Sequence, residues 1–273
     1  MPQLNPNEKQ ITQTTQSRFR DTLTENGISL CLRSDFNEYV GIRHRHGDTH
    51  LNQVFDPRHV KFSAGDFWLL AENARGEAIA TYCLRRFLVE DFFDLIETQA
   101  LWFSTRSRLI DRRFVVECEI PPFGGEVVHG GGLWIRGDYR GASRLAVVLP
   151  RFARAVALYD RSFDHDSAMI RNNPEDPAET VERKATYMGR KVYGYARVHR
   201  FVDGWFPPER RKAIMHLCHS TKTEAIASLF SACAAGESLR PGSELRQLPL
   251  IDQHDQSVYP PTVLSQGQQQ ARI

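Results

Sequence analysis

The chain reads as an α+β protein built on a single mixed β-sheet flanked by helices. Three observations carry this reading. Residues 28–33 and the two runs within 66–84 are β-prone, the latter pair separated by a short Asn/Gly-bearing turn. Residues 145–159 form a long amphipathic helix directly after an apolar run. Strands and helices also interleave along the chain, with no internal repeat to suggest an array.

Taken in order, the first dozen residues are polar and proline-bearing, and residues 1–13 are expected to be a flexible N-terminus. A helix is expected from Thr14 to Asn26, with Gly27 as its stop. Ile28 to Arg33 alternates as a strand does, whereas residues 35 to 62 are mixed and charged and support no assignment. Asp66 to Ala71 and Ala78 to Leu84 read as a hairpin, and residues 88 to 103 as a helical insertion. Phe114 to Ile120 alternates cleanly, placing Phe114, Val116, Cys118 and Ile120 on one face. Glu126 to Ile135 forms the next run. Its Gly130-Gly131-Gly132 marks a bulge or a close approach by another chain segment or a ligand.

Leu145, Val148, Leu149, Phe152, Val156 and Tyr159 form one stripe of the long helix, and Pro150 is expected to kink it. Arg144, Arg151, Arg154 and Arg161 gather on another sector. Ser167 to Arg171 reads as a strand, Ala178 to Met188 as a helix, and Lys191 to Phe201 and Ala213 to His219 as strands. The last helix shows both ends, a capping box at Thr221 and Glu224 and a terminating Gly236. Residues 237–273 are polar, rich in Gln, Pro and Ser, and read as a largely disordered tail, leaving one domain over 14–236.

Composition excludes several classes. A net charge of +2 over 273 residues creates no strong overall field and so makes no claim about partners. No apolar run approaches the roughly 20 residues that span a bilayer. Five scattered cysteines without a CxxC pair argue against a disulfide framework or a structural zinc site. With no basic and apolar leader at the N-terminus, a cytoplasmic protein is expected.

The chemistry concentrates at Leu133-Trp134-Ile135-Arg136-Gly137-Asp138-Tyr139-Arg140-Gly141-Ala142-Ser143-Arg144-Leu145-Ala146. A strand–turn–helix junction aims backbone N–H groups and the positive end of a helix dipole at one point, which suits an anion. Tyr139-Arg140-Gly141 after an apolar strand resembles the acyl-CoA pyrophosphate loop of the GNAT superfamily of N-acyltransferases. The resemblance covers about residues 28 to 220 and implies the GNAT-like fold. It implies that Arg140, Gly141, Ala142, Ser143, Arg144 and Leu145 hold the pyrophosphate, and that the strand from Leu133 to Ile135 pairs with the pantetheine amides. The co-substrate is then acetyl-CoA or another acyl-CoA, the acceptor a small-molecule or peptide amine, and no metal is required.

Direct acyl transfer to an amine needs a base for the ammonium and an acid for the departing thiolate. Glu117, Glu119, Glu126 and His129, on the strand run leading into the loop, are the candidate bases, and the sequence does not choose among them. Each has a plainer reading as a surface or ion-paired residue. Tyr187 resembles the general acid that many GNAT enzymes place beyond the fifth strand, against a plainer reading as a core-edge tyrosine.

Two alternatives stand beside this reading. One is an acyltransferase fed by acyl-carrier protein and resembling the acyl-homoserine-lactone synthases, for which Arg144, Arg151 and Arg154 would suit an acidic partner. The other is a non-catalytic GNAT-like module that binds a nucleotide or a protein, favoured by a bulky Leu145 where the family places a small residue. Arg43-His44-Arg45-His46 with His50 is a poor metal site, because the arginines repel a cation, and reads as a solvated loop. Cys218 and His219 are adjacent on a strand and point to opposite faces. Arg106, Arg108, Arg112 and Arg113, and the run 210–212, read as solvated faces, so nucleic acid is not an expected partner. Neither GxSxG nor GxxxxGK[ST] occurs.

Overall fold

Asn5, Pro6 and Glu8 start the first helix earlier than expected. In a computed structural model describing residues 3–48, 51–104, 120–140, 144–172, 176–201 and 214–234, α1 runs over Pro6–Glu25. The Asn5 side chain accepts from the Glu8 N–H while Glu8 reaches back to the Asn5 N–H, and Pro6 occupies the first turn, where no N–H is needed. The expected flexible stretch is therefore helical from Pro6 on. At the other end Gly27 takes φ +68°, the left-handed stop that glycine adopts without strain.

The described strands are β1 (Ile28–Arg33), β2 (Phe67–Asn73), β3 (Ala78–Val89), β4 (Gly125–Ile135), β5 (His165–Asn172), β6 (Arg197–Phe201) and β7 (Ile214–Thr221). They form one mixed sheet in the order β1-β2-β3-β4-β5-β7-β6, antiparallel except for the β4–β5 pair. The hairpin was legible: β2 and β3 meet through a turn in which the Asn73 side chain accepts from the N–H groups of Arg75 and Glu77.

Strand alternation feeds two cores. Leu69, Tyr82, Val128 and Ile135 pack under α1, α4 (Leu145–Asp160) and α6 (Lys222–Ala234), with Phe19, Leu23, Phe152, Leu158 and Leu229 among their neighbours. On the opposite face Leu70, Cys83, Val127 and Leu217 pack against α2 (Phe36–Arg45), α3 (Phe92–Glu97) and the short turn Gln53–Phe55. Thr221 and Glu224 cap α6 reciprocally. α4 passes through Pro150 without interruption.

Several expectations need correction. The unassigned stretch 35–62 contains α2, capped by the Asp35 side chain on the Asn37 N–H. The insertion at 88–103 is helical only over Phe92–Glu97, because β3 continues to Val89. The run Lys191 to Phe201 is a strand only from Arg197. Before it, α5 (Ala178–Thr186) passes into a π-helical turn at Tyr187–Val192, and Gly194 takes φ +76°. The expected strand at 114–120 (but for Ile120), the end of α6 at Gly236 and the tail 237–273 lie outside the described residues.

Candidate functional site

Parallel pairing between β4 and β5 is short. It runs from Val127↔His165 to Gly130↔Ala168, yet β4 continues to Ile135 and β5 to Asn172. Beyond Gly130 each strand stays paired on its outer side, β4 with β3 and β5 with β7. A wedge therefore opens between them, its inner strand edges unpaired with each other. An extended ligand carrying amides could add its own hydrogen bonds there, as an added strand does.

The glycine run sits where the wedge begins. The β3–β4 register shifts between Thr81 and Cys83, and Gly132 opposite this bulge takes φ +61°. A Cβ on Gly130 would lie 2.0 Å from the Tyr82 hydroxyl oxygen, and one on Gly131 would lie 2.6 Å from the Phe55 ring. These glycines make room for side chains packed on both sheet faces.

The mouth of the wedge is the loop leading into α4. Gly137–Tyr139 forms a 3-10 turn, and the Arg140 Nε donates to the Ile135 carbonyl at 3.0 Å. Arg144 stands at the N-cap with φ 49°, a left-handed conformation costing a side-chain-bearing residue on the order of 1 kcal/mol. It makes no capping hydrogen bond through its side chain, and the first turn of α4 carries no acidic residue, so α4 itself leaves its positive end uncompensated. Leu145 is fully buried in the α4-side core. Gly141, Ala142 and Ser143 lie outside the described residues. Leu133 is partly buried against the α4-side core, and Ile135 is buried within it.

Among the expected bases, Glu117 and Glu119 lie outside the described residues. Glu126 is buried near the start of β4, accepting from Arg161 Nη2 at 3.0 Å and Arg86 Nη1 at 3.5 Å. Both carboxylate oxygens of Glu126 are thus engaged by guanidiniums in ion pairs. His129 faces the other core, its Nδ1 3.0 Å from Ser167 Oγ. Burial, reinforced by the Arg85 charge, pulls its pKa down to about 3, which leaves it neutral and feebly basic. Tyr187 is half-buried at the first position of the π-helical turn.

The arginine sector of α4 divides. Arg151 and Arg154 are buried at 5% and 1% exposure, so they form no surface for an acidic carrier protein. Arg151 Nη2 donates to the Lys191 carbonyl at 3.0 Å, and Arg154 pairs with Asp166 and donates from Nη1 to the Tyr193 carbonyl at 3.2 Å. Together they fasten α4 to residues 191–194 across the β4–β5 seam.

Sequence reasoning missed two polar groups here. Tyr195 donates to the Ser167 carbonyl at 3.0 Å and lies 3.2 Å from Asp166 Oδ1. His165 Nδ1 and His219 Nε2 are 2.9 Å apart on the opposite face, under Phe123. Both are long-range pairings without a local signature. The Arg43–His46 segment is no loop but the end of α2: Arg43 is buried, bonded to the Gly132 carbonyl and paired with Asp48, and the His46 ring lies tilted against Trp134 with centroids 4.6 Å apart. Among the described residues no group of three or more His, Cys, Asp or Glu is placed to hold a metal ion. No helix among them is long and apolar enough to cross a membrane.

No protein-family model matches the chain, and no curated protein matches it. Solved structures are similar in fold at low identity. The spermidine/spermine N-acetyltransferase from Vibrio cholerae is 9% identical over 74% of this chain and 96% of its own, with a TM-score of 0.41. A GCN5-related N-acetyltransferase from Kribbella flavida is 9% identical over 72% of this chain and 99% of its own, also with a TM-score of 0.41.

Proposed function

We propose that the chain is an acyl-CoA-dependent N-acyltransferase of the GNAT type that transfers an acyl group to a small-molecule or peptide amine in the cytoplasm. One observation carries the reading: the β4–β5 pairing ends at Gly130↔Ala168, and the resulting wedge opens toward an α4 N-terminus with no acid or side-chain cap of its own. In this reading the pyrophosphate rests on the loop from Arg140 to Leu145, and the pantetheine arm lies along the inner edge of Leu133 to Ile135. Acetyl-CoA is the simplest donor that fits.

The acceptor amine attacks the thioester carbon directly, forming the N–C bond as the C–S bond breaks. Backbone N–H groups of the unpaired β4 edge face the developing oxyanion. The partners already held by Glu126 and His129 leave Glu117 and Glu119 as the remaining bases of the expected set, with Tyr187 as the proton donor to the thiolate. Burial of Arg151 and Arg154 leaves Arg144 alone of the three arginines to face an acyl-carrier-protein donor, which favours acyl-CoA.

Calorimetric titration with acetyl-CoA and with CoA tests the reading. Saturable binding at about micromolar to high-micromolar concentration is expected, and no binding of either overturns it.

A further inference from the structure

Resting on that reading, we propose that the wedge accepts only short acyl groups, because a buried polar plug centred on the Tyr82 hydroxyl closes its floor. β4 runs from its last β5 partner, Gly130, toward the loop proposed to hold the pyrophosphate. A donor anchored at that loop therefore extends back along β4 and points its acyl end at Gly130 and Ala168.

That floor is filled. A Cβ on Gly130 would lie only 2.0 Å from the Tyr82 oxygen, so the tyrosine fills the space that this glycine leaves. Beside it, Tyr195 packs against Ala168 and Cys218 and donates to the Ser167 carbonyl. The Arg154–Asp166 ion pair adjoins them, with the Arg154 guanidinium 4.6 Å from the centroid of the Tyr195 ring. Arg154 Nη2 is buried and makes no hydrogen bond, so the plug already holds one donor that an alkyl chain could not satisfy. Burial pushes both phenols well above their ordinary pKa, keeping them neutral donors in this network.

An acetyl methyl ends before this plug. A longer alkyl chain must displace hydrogen-bonded hydroxyls and leave their partners unsatisfied, which is the expensive way to bury apolar surface. The same volume filled by leucines would instead welcome it.

The full chain titrated with CoA, acetyl-CoA and octanoyl-CoA tests the inference without any substitution. Acetyl-CoA is expected to bind at least about 30-fold more tightly than octanoyl-CoA. Affinities equal within about threefold overturn the length limit while leaving the acyl-CoA reading intact. Binding of none of the three overturns both. Tyr82→Ala, checked for folding by its melting curve, is expected to narrow the preference by about tenfold or more. Tyr82→Leu, which keeps more of the volume, provides the same comparison should the alanine variant not fold. A folded variant with an unchanged ratio overturns the assignment to Tyr82.

Discussion

His129 Nδ1 and Ser167 Oγ lie 3.0 Å apart across the parallel β4–β5 seam, joining the two strands just before they part. Ser167 also donates to the Val128 carbonyl, so its oxygen is left to accept from His129 Nδ1–H. The pair pins the closed end of the wedge from the α3 side, as Tyr82 and Tyr195 do from the α4 side.

This buried imidazole has a consequence for pH. Its pKa falls from an ordinary 6.5 to about 3, chiefly by burial, so the unfolded chain takes up the proton first as pH drops. Stability is then full above about pH 6.5 and declines between that value and about pH 3, by up to about 1.4 kcal/mol per pH unit. His219, with a pKa lowered to about 4, adds to the same slope. Urea midpoints measured from about pH 7 down to about pH 5 should fall, and His129→Gln should flatten the decline. A pH-independent midpoint would contradict the burial of neutral His129.

Glu126 tests structure against catalysis. Its partner Arg86 stays buried after Glu126→Gln, so a loss on the order of 3 kcal/mol is expected, while the half-exposed Arg161 contributes little. Turnover per folded molecule should change less than about threefold, since the role assigned is packing. A folded Glu126→Gln with turnover down by roughly 100-fold would reinstate it as the base.

Arg140→Glu places a carboxylate beside the proposed pyrophosphate. It should weaken acetyl-CoA binding by about tenfold or more, with the melting midpoint almost unchanged because only a hydrogen bond to the Ile135 carbonyl is lost. Unchanged affinity, read by calorimetry, would remove the loop from the binding site.

Gly130→Ala should destabilise the fold by about 1–3 kcal/mol, since the new methyl meets the Tyr82 oxygen. Pairing it with Tyr82→Phe should recover part of that loss, as denaturant unfolding of the double variant would reveal. Full additivity of the two would show that the residues do not touch in solution.

Much of the fold was written locally. The turn residues Asn73 and Gly76 fix the β2–β3 hairpin, the apolar stripe from Leu145 to Phe152 forms α4, and Thr221 with Glu224 opens α6. Each such signal needs only neighbours a few positions away, so it survives in the sequence alone. The start of α1 was equally local, in Asn5, Pro6 and Glu8, but the surrounding polarity resembled disorder.

The candidate site was legible only at its loop. That β4 and β5 part after Gly130 depends on pairing between strands 38 residues apart, as does the bond from His129 to Ser167. The arginines of α4 read in sequence as a sector suited to an acidic partner, yet Arg154 is buried because Asp166 and the carbonyls of Tyr193 and Gly194 meet it there. Lys191 to Ala196 is β-prone in composition, yet it turns because the Arg151 guanidinium claims the Lys191 and Val192 carbonyls and Gly194 is left-handed. Propensity, capping and periodicity are properties of short windows, and they determined which elements exist. Burial of charge, the end of a strand pairing and the partner of each polar atom are decided by segments far apart in the chain, and only the folded structure brings those together.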